Sequence, residues 1–338
     1  MTPLISVAVP TLTAGQALTE CLLSLQRQTF QKFEVVVVDN SGTRKVTEPG
    51  TVIDKGRARV IYNENNVGFG AAVNQVFRDT KARYLATLND DAVADPRWLK
   101  ALVDVAEANP KVGMFAPCVM LAGTGTLDSA GMLLAADGSS KQRGHGKSPD
   151  EFSKLTKAFF PSGSAALYRR AMLEEIGLYD EMYFLYCEDT DVGLRARWSG
   201  WECLYVPQAI VEHRYSHTAG GASPMKAYYV ERNRLYTAVK NFPLRMLLGV
   251  PFASAGRYFW HLISLLGGFG KTGEYREAGH DTWLLPFLVF RAHAATLFRL
   301  PRLWKERRRI AATRKISVAD FEALAKTHAI SLREVASL

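Results

Sequence analysis

The first half of the chain alternates strand-like and helix-like segments, and this alternation restricts the fold more than any other feature of the sequence. Ile5–Val9, Phe33–Asp39, Arg59–Tyr62, Tyr84–Leu88 and Val112–Pro117 are apolar, β-branched or aromatic runs of strand length. Between them Leu18, Cys21, Leu22 and Leu25 recur at the spacing of one helical face. A second helix is predicted over Ala71–Thr80, and a third after Asp95-Pro96, where Asp suits the N-cap and Pro the first helical position. Strands that are apolar throughout and separated by helices predict a mostly parallel sheet covered on its faces. With 338 residues, 48% of them apolar and 22% charged, the chain can build such a core and is too apolar for a disordered or collagen-like polymer.

In a sheet of this kind ligands gather beyond the carboxyl ends of the strands. The residues found there are polar and acidic: Pro10-Thr11 after the first strand, Asp39-Asn40 after the second, Asn65-Asn66 soon after the third, and Asn89-Asp90-Asp91 after the fourth. Acids in such places are ordinarily turn formers or caps. Two adjacent carboxylates in a ligand crevice also repel one another unless a cation joins them, and a hard divalent ion carrying phosphate oxygens meets that need. Farther on, Asp137 to Lys157 is rich in Gly, Ser, Lys and Asp and reads as a mobile loop or lid. A strand follows at Ala165–Tyr168, then helices over Asp189–Trp198 and Ala227–Asn241, the last stopped by Pro243.

Glu188-Asp189-Thr190-Asp191 follows the aromatic run Tyr183-Phe184-Leu185-Tyr186. Acids in a helix's first turn complement its dipole and need no other role. A carboxylate beside aromatic walls is also partly desolvated, which raises its basicity toward what a general base needs. Arg195, four residues after Asp191, is spaced to pair with it on one helix face. His213 and His217 have the spacing of zinc ligands on a helix, but no Glu follows His213, so the metalloprotease pattern is incomplete. Gly68-Phe69-Gly70 begins a dinucleotide fingerprint that Val73 breaks, after the third strand instead of the first, and no Walker Gly-Lys-Ser/Thr is present.

Four cysteines, Cys21, Cys118, Cys187 and Cys203, form no Cys-x-x-Cys pair, which speaks for a reducing compartment and against a zinc ribbon or disulfide scaffold. The apolar run Leu4–Val9 is stopped by Pro10, too short for a signal core, so secretion is not expected. The net charge of +9 is concentrated: between Arg299 and Lys315 eight basic residues face Glu306 alone, a local balance of +7. Upstream, Met246–Ala255, Trp260–Phe269 and Trp283–Phe290 are rich in Leu, Phe and Trp, and Arg257, His261, Lys271 and Arg291 interrupt them. None reaches the ~18 uncharged residues of a spanning helix, so helices lying in an anionic membrane surface are expected. The ordinary alternative is a helical subdomain packed on the core.

Seven segments, in order over residues 4–240, resemble family 2 glycosyltransferases of the GT-A fold, and within them the bacterial rhamnosyltransferase-like group. They are Val7-Ala8-Val9-Pro10-Thr11, Val36-Val37-Val38-Asp39-Asn40-Ser41, Asn65-Asn66-Val67-Gly68-Phe69-Gly70-Ala71-Ala72-Val73-Asn74, Leu88-Asn89-Asp90-Asp91, Pro161-Ser162-Gly163-Ser164-Ala165, Glu188-Asp189-Thr190-Asp191-Val192-Gly193-Leu194-Arg195 and Val211-Glu212-His213. The resemblance implies that Asp39 and Asn40 hold the donor's base and ribose, with Pro10 and Thr11 shaping the same pocket and Asn66 and Gly68 near the nucleotide. Asn89-Asp90-Asp91 takes the place of the Asp-x-Asp motif, whose last Asp, here Asp91, binds Mg2+ or Mn2+; Asn89 departs from the strict pattern. His213 matches a histidine that completes the metal or diphosphate site. Asp189 matches the catalytic base, with Glu188 as fallback, and Arg195 is counted with the donor-binding residues.

The expectation is therefore an inverting, metal-dependent glycosyltransferase: a GT-A α/β core over 1–240 with a mixed, Rossmann-like sheet, and a helical, basic region over 241–338 on the membrane surface. Its partners are a nucleotide-sugar, with dTDP-rhamnose suggested by the resemblance alone, and a glycan or lipid-linked acceptor of bacterial cell-surface polysaccharide synthesis. A cytoplasmic location, peripheral on the inner face of the cell membrane, goes with them; a homo-oligomer is left open. A sugar nucleotidyltransferase is the first rival, although Thr11-Leu12-Thr13-Ala14-Gly15 lacks the basic, Gly-rich activating loop expected of one. A nucleic-acid-binding protein is the second. Trp304 is the single aromatic among the basic residues of 299–315, and no nucleic-acid partner is expected.

Overall fold

The computed structural model describes residues 2–46, 57–214, 223–268 and 270–337. His217 lies outside the described residues, and the expectation attached to it goes with it. In chain order the elements are β1 (Ile5–Thr11), α1 (Gln16–Gln26), β2 (Phe33–Asp39), β3 (Ala58–Tyr62), α2 (Phe69–Asp79), β4 (Tyr84–Leu88), β5 (Ala92–Ala94), α3 (Trp98–Ala108), β6 (Val112–Leu121), β7 (Leu127–Ser129), β8 (Met132–Leu134), β9 (Ser140–Gln142), β10 (Thr156–Ala158), β11 (Ala165–Arg169), α4 (Arg170–Ile176), α5 (Glu188–Trp198) and β12 (Glu202–His213). Then come α6 (Pro224–Asn241), α7 (Leu244–Gly267), α8 (Gly270–Glu277), α9 (Leu285–Thr313), α10 (Val318–Thr327) and α11 (Leu332–Ser337).

Two compact units are present. The first takes Met1–Gly131, Gln142–Ala196 and Trp201–Thr218; the second takes Met132–Lys141, Arg197–Gly200 and Ala219–Leu338. Residue 240 lies in the second unit, near the end of α6, which packs along α9.

The first unit is built on a sheet of order β10-β12-β6-β11-β4-β1-β2-β3, with β5 on β12 and β7 on β6. β3, β2, β1 and β4 run parallel, as the alternating sequence requires. β11 is antiparallel to both β4 and β6, so the sheet is mixed. A parallel neighbour needs a long crossover, usually a helix, and no α-helix separates β6 from β11. The Val and Ile side chains of β1 and β2 are almost wholly buried, each worth on the order of 1.5–3 kcal/mol when removed from water. Leu18, Cys21, Leu22 and Leu25 of α1 pack into the same core with Trp98 and Phe115.

Two expectations need correction. The segment 137–157 is no lid: β8 pairs with β9, Ser148 caps the 3-10 turn Pro149–Phe152, and β10 joins the large sheet. Its glycines and aspartates encode tight turns. Gly138 sits at φ +89°, where a Cβ would fall 2.6 Å from the Arg234 carbonyl oxygen, and Asp137 is wholly buried.

The apolar C-terminal segments also differ from the reading of their sequence. Met246–Ala255 and residues 260–267 fall along one helix, α7, which Gly268 caps. Arg257 does not interrupt an apolar face but is buried, paired with Asp137 at 2.6 Å and with Glu231. Thr282–Thr313 is long and apolar enough to cross a membrane by length and composition, with 17% of its apolar window buried, whereas the sequence reading found no such segment. Phe252 and Phe298 are 81% and 86% exposed.

Candidate active site

The rim residues lie where strands end or just after, and hydrogen bonds to a neighbouring strand end or within their own turns fix them. Thr11 Oγ1, at the end of β1, donates to Asp90 Oδ2 at 2.6 Å. Asn40 N–H donates to the Thr11 carbonyl at 2.8 Å, and Asn63 Nδ2 donates to Asn40 Oδ1 at 2.7 Å. Burial alone would raise the Asp39 pKa, but hydrogen bonds from Ser41 and from the Val46 backbone hold it below the ordinary value. Asp39 thus stays ionised and closes its own turn. Asn66 Oδ1 accepts from Gly68 N–H at 2.9 Å, and Gly68, at φ +84°, leaves room that a Cβ would take 2.2 Å from the Phe184 carbonyl oxygen. Pro10 is half-buried in β1 beside these groups.

Asp90 and Asp91 follow β4, and β5 pairs antiparallel with β12 so that Ala92 lies opposite His213. That register brings His213 Nε2 to 3.3 Å from Asp91 Oδ1 and to 3.4 Å from Asn89 Nδ2. On the other side His213 Nδ1 lies 2.9 Å from Asp128 Oδ2, and Asp128 also faces His145. Burial opposes a charge on the His213 ring, yet Asp128 and Asp91 outweigh it and lift the pKa to about 9. Burial likewise works to raise the Asp128 pKa, and the two histidines hold it below the ordinary value.

Asp91 Oδ1 is buried and makes no hydrogen bond, so an acceptor with charge to share points at His213 Nε2. These two side chains suit a hard divalent cation that takes its remaining ligands from phosphate oxygens and water. Among the described residues no group of three or more His, Cys, Asp or Glu side chains is placed to hold a metal.

The second acidic group is tied to the first by a short bridge. Gly163 N–H donates to Asp189 Oδ2 at 2.9 Å, and Asn89 N–H donates to the carbonyl of the next residue, Ser164, at 2.8 Å. The preceding loop is strained: Phe184, Tyr186 and Cys187 have φ of 64°, 68° and 65°, a region that costs non-glycine residues on the order of 1–3 kcal/mol each. Phe69 N–H donates to the Phe184 carbonyl at 2.9 Å and pins that loop against α2.

Glu188 and Asp189 differ sharply. Glu188 is buried, its Oε2 has no partner, and burial together with the Asp189 charge pushes its pKa up to about 8. Asp189 is half-buried; burial raises its pKa, while Gly163 and Thr190 donate to its oxygens and favour the charged form. At neutral pH Glu188 keeps its proton and Asp189 is the stronger candidate to accept one.

Arg195 leaves the donor-binding set. It is 3% exposed, pairs with Asp191 at 2.8 Å, and donates to the carbonyls of Ile176, Gly177 and Leu178. Asp128 is the neighbour of His213 that the sequence did not disclose. It stands alone in the three-residue strand β7, and only the pairing of β7 and β12 with β6 brings it to His213.

The family model described as glycosyl transferase family 2 matches residues 6–177, just over half of the chain. An N-acetylglucosaminyl-diphospho-decaprenol L-rhamnosyltransferase of Mycobacterium tuberculosis is 28% identical over 243 residues, which span 65% of this chain and 79% of that protein. Among solved structures, GalNAc-T7 with UDP, GalNAc and Mn2+ superimposes with a TM-score of 0.62 at 17% identity, over 76% of this chain and 51% of that one. The mannosyltransferase PcManGT from Pyrobaculum calidifontis, in complex with GDP-Man and Mn2+, gives 0.55 at 16% identity, over 93% of this chain and 86% of that one. The architecture is that of the GT-A glycosyltransferases, with a mixed sheet and a helical C-terminal region.

Proposed function

Because this chain belongs to glycosyl transferase family 2 and is a glycosyltransferase, we propose that it moves a sugar from a nucleotide donor to a hydroxyl of a lipid-linked glycan, inverting the anomeric carbon. L-Rhamnose from dTDP-rhamnose is the donor, in bacterial cell-surface polysaccharide synthesis, a choice supported by the rhamnosyltransferase relative. Family membership sets aside the sugar nucleotidyltransferase and the nucleic-acid-binding protein. The observation that carries the reading is the bridge Asp189–Gly163–Ser164–Asn89, which holds a half-buried carboxylate beside the Asp90-Asp91 turn.

Asp39, Asn40, Thr11 and Pro10 form the floor for the nucleotide, with Asn66, Gly68 and Asp90 at its edge. Asp91 and His213 hold Mg2+ or Mn2+; when bound, the cation supplies positive charge against the departing diphosphate. Asp189 takes the proton of the acceptor hydroxyl as that oxygen bonds to the anomeric carbon. The bond from that carbon to the nucleoside diphosphate breaks in the same displacement, and the proton stays on the Asp189 carboxyl. Glu188, protonated beside it, keeps a second negative charge away from the base.

The helical unit docks peripherally on the inner face of the cell membrane, which raises the effective concentration of a lipid-borne acceptor. Exposed Phe252, Leu266 and Phe298 and the exposed Arg302, Lys305 and Arg308 support this. Replacing these three cations together by Gln lowers sedimentation with anionic vesicles; equal sedimentation removes the basic tract from the account. The donor is tested by thermal shift with a panel of nucleotide-sugars, with and without Mn2+. A rise in Tm largest for dTDP-rhamnose with the metal supports the assignment, and a larger rise for another donor replaces it.

A further inference from the structure

Gly68-Phe69-Gly70, which breaks off as a dinucleotide fingerprint, opens α2, and Asn74 lies one helical turn after Gly70. Asn74 is 1% exposed, and its side-chain amide is engaged by a segment 105 residues along the chain. Its Nδ2 donates to the Tyr179 carbonyl and to Glu181 Oε1, both at 2.9 Å, and its Oδ1 accepts the Tyr179 N–H at 3.0 Å. One side chain thus satisfies both backbone polar groups of Tyr179, as a neighbouring strand would. Glycine makes the approach possible: a Cβ on Gly70 would lie 2.9 Å from the Tyr179 Cβ. The Phe69 and Tyr179 rings meet edge-on, 6.1 Å between centroids.

The segment held in this way leads into Glu188-Asp189. Its start is fixed by Arg195 of α5, which takes the carbonyls of Ile176, Gly177 and Leu178. Asn74 then grips Tyr179 and Glu181, the Phe69 N–H grips the Phe184 carbonyl, and the Cys187 carbonyl accepts the Asp191 N–H at 3.0 Å as α5 begins. Between the last two ties lie the positive φ angles of Phe184, Tyr186 and Cys187. Residues other than glycine keep such angles only where their surroundings over-determine them. The Asn74 amide suits that task, because moving it strands the buried N–H and C=O of Tyr179. The exposed Arg78–Glu181 pair at 3.1 Å adds little to the hold.

We propose that Asn74 is a positioning residue for the transfer reaction: through Tyr179 and Glu181 it clamps the strained turn that delivers Asp189, and Gly70 supplies the clearance the clamp needs. The link from the clamp to turnover rests on the proposed role of Asp189 as base. Displacing a reacting group by about 1 Å costs on the order of 10²-fold in rate. Thr11, Asp39, Asn40 and Asp90 belong to the ends of β1, β2 and β4, so loosening the clamp leaves the proposed nucleotide floor in place. The loss falls on kcat and not on donor affinity.

The test compares the intact protein with Asn74→Ala and Gly70→Ala, using the nucleotide-sugar that raises the Tm most and Mn2+, well below each Tm. Asn74→Ala removes the amide. Gly70→Ala keeps the amide and favours the helix, but drives a methyl group into Tyr179; it separates misplacement of the turn from a general loss of stability. Each variant is expected to lower kcat for transfer about 10- to 100-fold, with the donor's KM within about threefold of native. Hydrogen exchange read by mass spectrometry reports the clamp without turnover: amides of residues 178–187 exchange at least about tenfold faster in Asn74→Ala. Native kcat in either variant, native exchange in Asn74→Ala, or donor affinity falling as far as kcat overturns the proposal. Asp189→Asn runs alongside. Native transfer by Asp189→Asn, with kcat still depressed in the Asn74 and Gly70 variants, removes the base assignment and leaves the clamp standing.

Discussion

Two buried glutamates, Glu188 in the α/β unit and Glu231 in the helical unit, sit in opposite chemical circumstances. Glu231 accepts from Arg234, Arg257 and Tyr258; burial works to raise its pKa, but the two guanidinium charges and these bonds bring it down to about 2. Glu188 has a partnerless oxygen, and burial with the Asp189 charge lifts it to about 8. Saturated acids hold a fold together, and acids left wanting a proton or a cation are available for chemistry. The same distinction separates Asp137, engaged by Arg257 and Arg234, from Asp91, whose Oδ1 makes no hydrogen bond.

The comparison can be broken most forcefully at Glu231. Glu231→Ala leaves two buried guanidinium groups sharing one carboxylate, that of Asp137, and a loss of about 3–5 kcal/mol in urea unfolding is expected. A loss below about 1 kcal/mol contradicts a structural network there. Asp128→Asn is expected to weaken Mn2+ binding about 10- to 100-fold, since the carboxylate fixes His213 through Nδ1. Titration followed by electron paramagnetic resonance reads this without turnover; unchanged affinity removes Asp128 from the site.

Smaller but more diagnostic is the pH dependence of stability. Glu188 has its folded pKa raised from 4.5 to about 8, so its contribution is complete below about pH 4.5 and is lost as pH rises toward 8. Glu231 has its pKa lowered from 4.5 to about 2, so its contribution is present above 4.5 and is lost as pH falls toward 2. Glu188→Gln therefore flattens the decline in Tm between about pH 5 and 8 and leaves the acid limb in place. An unchanged alkaline decline contradicts the protonated state assigned to Glu188.

Much of this was legible from residue order. The strand ends carried their chemistry openly: β1, β2 and β4 lie where apolar runs predicted them, and Thr11, Asp39, Asn40, Asp90 and Asp91 follow from that placement. Partnerships made across long stretches of chain were not legible. Asp128 reaches His213 only because β6 pairs on one side with β7 and on the other with β12. Arg257 read as an interruption of an apolar segment because nothing in α7 names Asp137 and Glu231 as its partners. The local pair was legible: Arg195 engages Asp191 as the spacing of four predicted, since it sets both on one face of α5.

The central claim, that Asp189 receives the acceptor's proton, is tested by Asp189→Asn. Transfer to acceptor should fall about 10²- to 10⁴-fold, with nucleotide-sugar affinity in the presence of Mn2+ held within a few-fold of native. Near-native transfer by that variant would contradict the assignment.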